Sequence, residues 1–370
     1  MKPRTLFVSR ERFRLPLDDT QRRKWDAVGE RLDYRIVAAA QRGSPTSADR
    51  MALAAPKPVL DGARYYISLP LRIAHELRAF RPDVAVVQGV HEAAAFMAAR
   101  TLARVDTKLV LDVQGDWHAA TRLYGSPARK LITPLNDALG PLAVRRADAV
   151  RTLSPFTSSL VRGLGREPAG EFPPFIDREI FLAGPPATLP VRPQALFVGV
   201  LERYKGFDAL ADAWPRVAAA VPGAQLHVIG RGTLAPLARG LAGEDAIWTE
   251  SLDATGVARA LDEATLLCLP SRAEGLGRVV IEAMCRGRGV VGGDAGGIPD
   301  LVEDGIDGLL VQPGNADALA AALVGVLGDG ELAARLAAGA RAKGERLAVT
   351  PAEYADNVAA VVATALSGLP

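Results

Sequence analysis

The chain has 370 residues, 49% of them hydrophobic and 23% charged, with a formal net charge of +2. This is the composition of a soluble globular protein long enough for two domains of ordinary size, and it excludes a disordered or membrane-embedded chain. The near balance of charge removes any whole-molecule argument for nucleic acid as a partner. The opening run MKPRTLFVSRERF returns to charge after three apolar residues, too short for a signal peptide, and no apolar stretch reaches the length of a membrane helix. A cytoplasmic location is therefore expected, with membrane contact at most peripheral. Cys268 and Cys285 both lie in apolar runs and read as buried free thiols of a reducing compartment, not as a disulfide or a metal pair.

In chain order, short apolar runs alternate with longer helical patterns, the signature of parallel sheets with crossover helices. In the first half the candidate strands are TLFVS (5–9), YRIVAA (34–39), RYYIS (64–68), VAVVQ (84–88), KLVLDV (108–113) and AVRTLS (149–154). The Pro-rich stretch LAGPPATLPVRP (182–193) has neither helical nor strand period and reads as a linker. The second half offers ALFVGV (195–200), QLHVIG (225–230), AIWT (246–249), TLLCLP (265–270), GVVG (289–292) and GLLV (308–311). In the last segment, Thr350 followed by Pro351 signals a helix start, and residues 358, 361, 362 and 365 form one apolar stripe. That helix is expected to dock rather than end in solvent. The reading is α/β with two doubly wound Rossmann-like parallel-sheet domains: 1–182, a linker at 183–193, 194–346, and a C-terminal helix segment at 347–370 crossing back onto the first domain.

Doubly wound sheets bind ligands outside the carboxyl ends of their strands, here in a cleft expected between the domains. The stretch SRAEGLGRVVIEAMCRGRGVV (271–291) occupies that position after the strand TLLCLP. Gly275 and Gly277 let a ligand approach bare backbone, and the first amides of the following helix are unpaired donors at the positive end of its dipole. Glu274 precedes this mouth. Glu282 lies about 7–8 Å along the helix at 1.5 Å per residue, in an otherwise apolar run where a carboxylate needs hydroxyl partners. One glutamate alone near a helix start would be an ordinary structural feature; two of them flanking the glycines point to a polyhydroxyl or phosphate ligand.

The E-x7-E run EGLGRVVIE (274–282), followed by EAMCRGRGVV and GGIPDLVEDGIDGLLVQPGNADAL (296–319), resembles the donor-binding half of family 4 retaining glycosyltransferases of the GT-B fold. VGVLERYKGFDALADAW (198–214), LHVIGRG (226–232) and LPSRAEGLG (269–277) extend the resemblance, which is strong over roughly 195–330. In the first half, RPDVAVVQG (81–89), RADAVRTLSPFT (146–157) and FPPFIDREIF (172–181) fit it more weakly.

The resemblance implies roles. Glu274 with the backbone at Gly275, Leu276 and Gly277 would hold the donor sugar's hydroxyls, and Glu282 the ribose of a nucleoside-diphosphate sugar. The loop LERYKG would hold the diphosphate leaving group through Lys205, with Gly199 and Gly230 also on the donor and Leu252 of ESLDATG packed on the base. The family usually has an arginine where this chain has Val200, and Arg203 is expected to supply the missing guanidinium. The first domain departs further. Its loop SRERFRLPLDDTQRRKW (9–25) has no glycine, and Gln114 stands where a histidine often contacts the donor sugar. Gln114, Asp116 and His118 all follow a strand and are candidates for contact with sugar or acceptor. Arg10, Arg12 and Arg14 stand out in a first segment rich in basic residues. A solvated helix face is the ordinary reading of such a run; the sharper ones are contact with an anionic acceptor, the donor diphosphate or an anionic membrane.

The expected activity is thus a metal-independent, retaining glycosyl transfer to a hydroxyl of a small-molecule, glycan or lipid-linked acceptor, with no cofactor beyond the donor substrate. Alternatives are a nucleotide-sugar epimerase or other GT-B enzyme, and a non-catalytic nucleotide-sugar binder. A dinucleotide dehydrogenase is disfavoured because no G-x-G-x-x-G follows an early strand.

Overall fold

A computed structural model describes residues 1–56, 61–119 and 133–368. The chain forms two compact units, the first comprising Met1–Trp117, Ile132–Phe172 and Thr350–Pro370, the second His118–Leu131 and Pro173–Val349.

In the first unit the strands are β1 (Arg4–Phe13), β2 (Asp33–Ala40), β3 (Ser47–Ala48), β4 (Met51–Ala54), β5 (Val84–Gln88), β6 (Lys108–Val113), β7 (Ala149–Thr152) and β8 (Gly170–Glu171). They lie in the order β3-β4-β2-β1-β5-β6-β7-β8, all parallel except the β3–β4 pair. The helices Asp61–Ala79, Val90–Ala103 and Thr133–Arg146 pack together in one layer, and Asp19–Arg31 pairs with Pro351–Ser367 in another. The core is continuous through Leu6, Val8, Leu69, Ile73, Phe96, Leu109 and Leu111.

The last helix behaves as its sequence predicts. Thr350 caps it by accepting from the Glu353 amide, while Glu353 accepts from the Thr350 amide at 2.7 Å. Val358, Val361, Val362 and Ala365 are buried against the first unit, and Asp356 accepts from Arg31 at 2.5 Å.

Three expectations are corrected. RYYIS is not a strand but lies within the helix Asp61–Ala79, because Tyr65, Leu69, Ile73 and Leu77 recur every four residues and bury one helical stripe. The local enrichment in aromatic and β-branched residues is outweighed by that longer period. The strand omitted in its place is β4, whose Met51 and Leu53 are buried. Finally, β1 runs on to Phe13, with an irregularity between Val8 and Arg12 where its register to β2 shifts, so Arg10 and Arg12 sit on an irregular strand end and not in a loop.

The second unit contains β9 (Gln194–Val198), β10 (Gln225–Ile229), β11 (Ala246–Thr249), β12 (Leu266–Leu269), β13 (Gly289–Gly293) and β14 (Gly308–Val311). Their order, β11-β10-β9-β12-β13-β14, is parallel throughout. This is the doubly wound order in which strand succession reverses between the first and fourth strands, here β9 and β12. Every residue of β12 and β13 is buried, as fits central parallel strands covered on both faces. Helix Phe207–Ala220 packs on Ala316–Gly328, and Arg278–Cys285 on Gly330–Leu347.

The Pro-rich stretch at 182–193 is part of this unit's surface. The Ala183, Gly184 and Ala187 carbonyls accept from Arg286, Arg341 and Arg288 at 3.1, 3.2 and 2.9 Å. Prolines remove amide donors but leave every carbonyl, and Arg288, only 1% exposed, requires such acceptors. Both cysteines are free and buried. Burial pushes the Cys285 thiol up to about 12 and the Cys268 thiol further still.

Candidate active site

The reversal point between β9 and β12 is where a doubly wound sheet receives its ligand, and Lys205 and Glu274 of the second unit meet there. β9 ends at Val198, followed by Gly199 and then a 3-10 turn, Arg203–Lys205. β12 ends at Leu269, followed by the loop that carries Glu274, Gly275, Leu276 and Gly277 into the helix Arg278–Cys285. Across this junction the Lys205 ammonium donates to Oε2 of Glu274, with the two side chains 15% and 16% exposed. A lysine and a glutamate 69 positions apart thus form one small polar centre at the mouth of a helix.

Glycine backbones hold that centre in place. Gly296 has φ +61°, and a Cβ built on it would lie 2.2 Å from the Glu274 carbonyl oxygen; on Gly297 it would lie 2.3 Å from that of Gly275. The Gly297 amide donates to the Glu274 carbonyl at 2.9 Å. Only side-chain-free backbone permits this approach. The GGIPD run therefore positions the glutamate loop. Gly277 is the N-cap of the helix with φ 90°, and no side chain caps it. The Val280 amide donates to the Gly277 carbonyl at 2.9 Å, and the positive end of the helix dipole at this mouth favours an anion.

Glu282 lies in the same helix and is buried, accepting at 2.8 Å from Nε of Arg278, whose side chain is 58% exposed. Its counterion is thus a solvated arginine one turn away, not a group of the core. Leu276 is buried, so its side chain anchors the loop and only its backbone is left for a ligand. Val200 is 42% exposed, an apolar side chain where the resemblance places an arginine. Arg203 is 67% exposed and lies 3.6 Å from Asp208. Asp208 itself is gripped by Arg272 at 2.6 and 3.1 Å, and Arg272 also donates to the Arg203 carbonyl. Arg203 therefore keeps a mostly solvated guanidinium on a turn whose backbone is fixed.

Gly230 directly follows β10, its amide donating to the Thr249 carbonyl at 2.9 Å and its own carbonyl accepting from Trp248 Nε1 at 3.0 Å. Leu252 is 39% exposed, just before Asp253 caps the helix Ala254–Asp262. Gln114 and Asp116 follow β6 in the first unit, while His118 is grouped with the second. The Gln114 Nε2 is buried and has no hydrogen-bond partner among the described residues.

Sequence reasoning passed over Arg272 and Glu202. Glu202 fixes the next loop by accepting from the Thr233 amide and hydroxyl at 3.0 and 2.7 Å. Glu202 adjoins Arg203 and Arg272 lies two residues before Glu274, but nothing local signals partners some 30 to 70 positions away.

The comparisons with known proteins bear on family and fold. Residues 18–171 match the family model "Glycosyl transferase 4-like domain" and residues 192–329 the model "Glycosyl transferases group 1". The chain is 37% identical over 144 residues to a phosphatidyl-myo-inositol mannosyltransferase of Mycolicibacterium smegmatis, a match covering 38% of this chain and 37% of that protein. In fold it is similar to the sucrose-phosphate synthase of Thermosynechococcus elongatus, at TM-score 0.74 and 18% identity over 94% of this chain and 95% of that one. It is also similar to Anabaena HepE in complex with UDP and glucose, at TM-score 0.72 and 18% identity over 98% and 99%. With both halves matched by glycosyltransferase models and both sheets doubly wound, the chain belongs to the family 4-type glycosyltransferases of the GT-B fold.

Proposed function

We propose that the chain transfers a sugar from a nucleoside-diphosphate sugar to a hydroxyl acceptor, with retention of configuration and without a metal ion. The observation that carries this reading is the Lys205–Glu274 pair at the uncapped helix mouth, pinned by Gly296 and Gly297.

Each group has a task in that reaction. Glu274 accepts hydrogen bonds from the donor sugar's hydroxyls and so orients the anomeric carbon. As the glycosidic bond breaks, the diphosphate gains negative charge; the Lys205 ammonium and the amides of the helix mouth are the preorganised positive groups that stabilise it. Arg203 adds a mobile guanidinium from its exposed turn, in the role that Val200 cannot fill. Glu282 binds the ribose, Leu252 packs on the base, and Gly199 and Gly230 line the donor with bare backbone. Gln114, Asp116 and His118 serve the sugar or the acceptor, which is a small molecule, a glycan or a lipid-linked hydroxyl. Sulfurs play no part, since burial keeps both thiols protonated.

The test is turnover of a panel of nucleoside-diphosphate sugars followed by NMR, with and without EDTA. The reading expects product with the donor's anomeric configuration at an unchanged rate in chelator. Inverted product would overturn the assigned stereochemistry, loss of activity in EDTA the metal independence, and sugar isomerisation without acceptor the transfer itself.

A further inference from the structure

The first unit contains a second concave site, near the carboxyl ends of β1, β2 and β4 and against the first turns of the helix Asp61–Ala79. It is a cavity of about 340 Å³ whose lining includes Arg10, Arg64, Arg72, Asp61, Tyr65 and Ser68. Three guanidiniums share it with a single carboxylate, and that carboxylate is engaged elsewhere: Asp61 lies 2.7 Å from Nη2 of Arg12.

None of the three arginines finds a full partner. Nη2 of Arg72 donates to the Ala52 carbonyl at 2.9 Å, but its Nη1 is buried without any acceptor among the described residues. Glu76, whose charge Arg72 feels, is bound by Arg35 at 2.9 Å. Burial lowers the pKa of Arg72, yet a guanidinium stays charged at any physiological pH. Arg10 lies against Gly62 and over the Tyr66 ring at 5.5 Å, with no ion pair among the described residues. The carboxylate whose field it feels, Glu92, is taken by the Tyr66 hydroxyl at 2.8 Å. Arg64 is exposed and likewise has no ion pair among the described residues. A buried donor left unpaired is destabilising, and like charges around a cavity repel; both penalties are relieved by one bound anion.

We propose that this pocket binds a phosphate group, a phosphomonoester or phosphodiester carried by the acceptor. Guanidiniums pair two-pronged with phosphate oxygens, and a group with several equivalent oxygens is the anion that three of them can share. The volume lies at the lower end of the ~300–1,000 Å³ typical of small-ligand sites, room for the phosphate and part of a polyol. The donor's diphosphate already has Lys205 and the helix mouth of the second unit. The assignment to the acceptor rests on the glycosyl-transfer reading; the anion site does not.

The test is calorimetric titration of the full chain with inorganic phosphate and glycerol 3-phosphate. Arg64→Glu and Arg72→Gln are the pocket variants, and Arg42→Gln, exposed and outside the pocket, is the control. Expected is saturable binding, one per chain, weakened about tenfold or more in both pocket variants and unchanged in the control, with nucleoside-diphosphate affinity unaffected. Arg64→Glu alters an exposed side chain, so it remains informative if Arg72→Gln fails to fold. Absence of saturable binding, or equal affinity in Arg64→Glu and wild type, overturns the site. Parallel loss of nucleoside-diphosphate binding overturns its assignment to the acceptor. Sedimentation with phosphatidylcholine vesicles, with and without phosphatidylglycerol, identifies the source. Vesicle binding that requires the anionic lipid and is lost in Arg64→Glu assigns a lipid headgroup; soluble-probe binding alone assigns a free phosphorylated acceptor. Phosphate binding as expected with no nucleoside diphosphate bound would leave the anion site standing and remove the transfer reading.

Discussion

Each unit presents charged side chains near the carboxyl ends of its parallel strands, but the two sets are arranged differently. In the second unit the charges satisfy one another: Lys205 with Glu274, Arg272 with Asp208, Arg278 with Glu282. In the first, Arg10, Arg64 and Arg72 surround a cavity with their one neighbouring carboxylate already paired to Arg12. A self-paired site can open to a ligand that carries both hydroxyl donors and anionic oxygens, as a sugar diphosphate does: the carboxylate takes the hydroxyls and the cation the phosphate. A site of unpaired cations suits an anion only. The two proposals, a sugar diphosphate for the second unit and a phosphate for the first, rest on this contrast.

The sharpest way to break the comparison is Lys205→Ala. It removes a transition-state donor, and turnover is expected to fall about a hundredfold or more. Arg203→Ala, which removes a mostly solvated guanidinium, is expected to cost about tenfold. Steady-state kinetics of the two variants check this, and normal turnover in Arg203→Ala would leave the diphosphate to Lys205 and the helix amides alone.

Gly296→Ala tests whether the glutamate loop must be held as it is. A methyl 2.2 Å from the Glu274 carbonyl, on a backbone at φ +61°, forces the loop to shift. Strain of about 1–3 kcal/mol is expected, expressed as at least a tenfold loss of turnover in a protein whose circular dichroism is unchanged.

Glu282→Ala has the smallest expected effect on rate. Ribose contacts persist equally in ground and transition states, so nucleotide affinity falls while kcat stays nearly constant. The arginine left behind is mostly solvated, so little stability is lost with it. Michaelis constants and a thermal melt report both quantities; a fall in kcat equal to that in kcat/KM would move Glu282 into the reacting centre.

What was legible in the sequence follows the range of the interactions. The strand read as TLLCLP (265–270), the glycine helix mouth and the final helix with its Thr350–Pro351 start are set by residues within a few positions of each other; the structure has the strand at Leu266–Leu269 and both helix starts as read. RYYIS misled because five residues carry a strand's propensities while the burial stripe that decides the matter runs from Tyr65 to Leu77. The linker reading treated prolines as breakers and overlooked the carbonyls of Ala183, Gly184 and Ala187 beside them, which serve arginines about a hundred or more positions further on. The arginine pocket was half visible. Arg10 was singled out, with Arg12 and Arg14, in the loop expected after the first strand, but Arg64 and Arg72 join it only because the helix Asp61–Ala79 lies near the carboxyl ends of β1, β2 and β4. Such a meeting belongs to topology, not to any local pattern.

The central claim is that the helix mouth beside Lys205 and Glu274 binds a nucleoside diphosphate. It is tested most directly by thermal melting of wild type and Lys205→Ala against a panel of nucleoside diphosphates. A true ligand at a hundred times its dissociation constant adds ~2.7 kcal/mol to wild type. The account predicts a clear upward shift for at least one base in wild type and a reduced shift in Lys205→Ala. Equal shifts in the two proteins, or none with any nucleoside diphosphate, would contradict it.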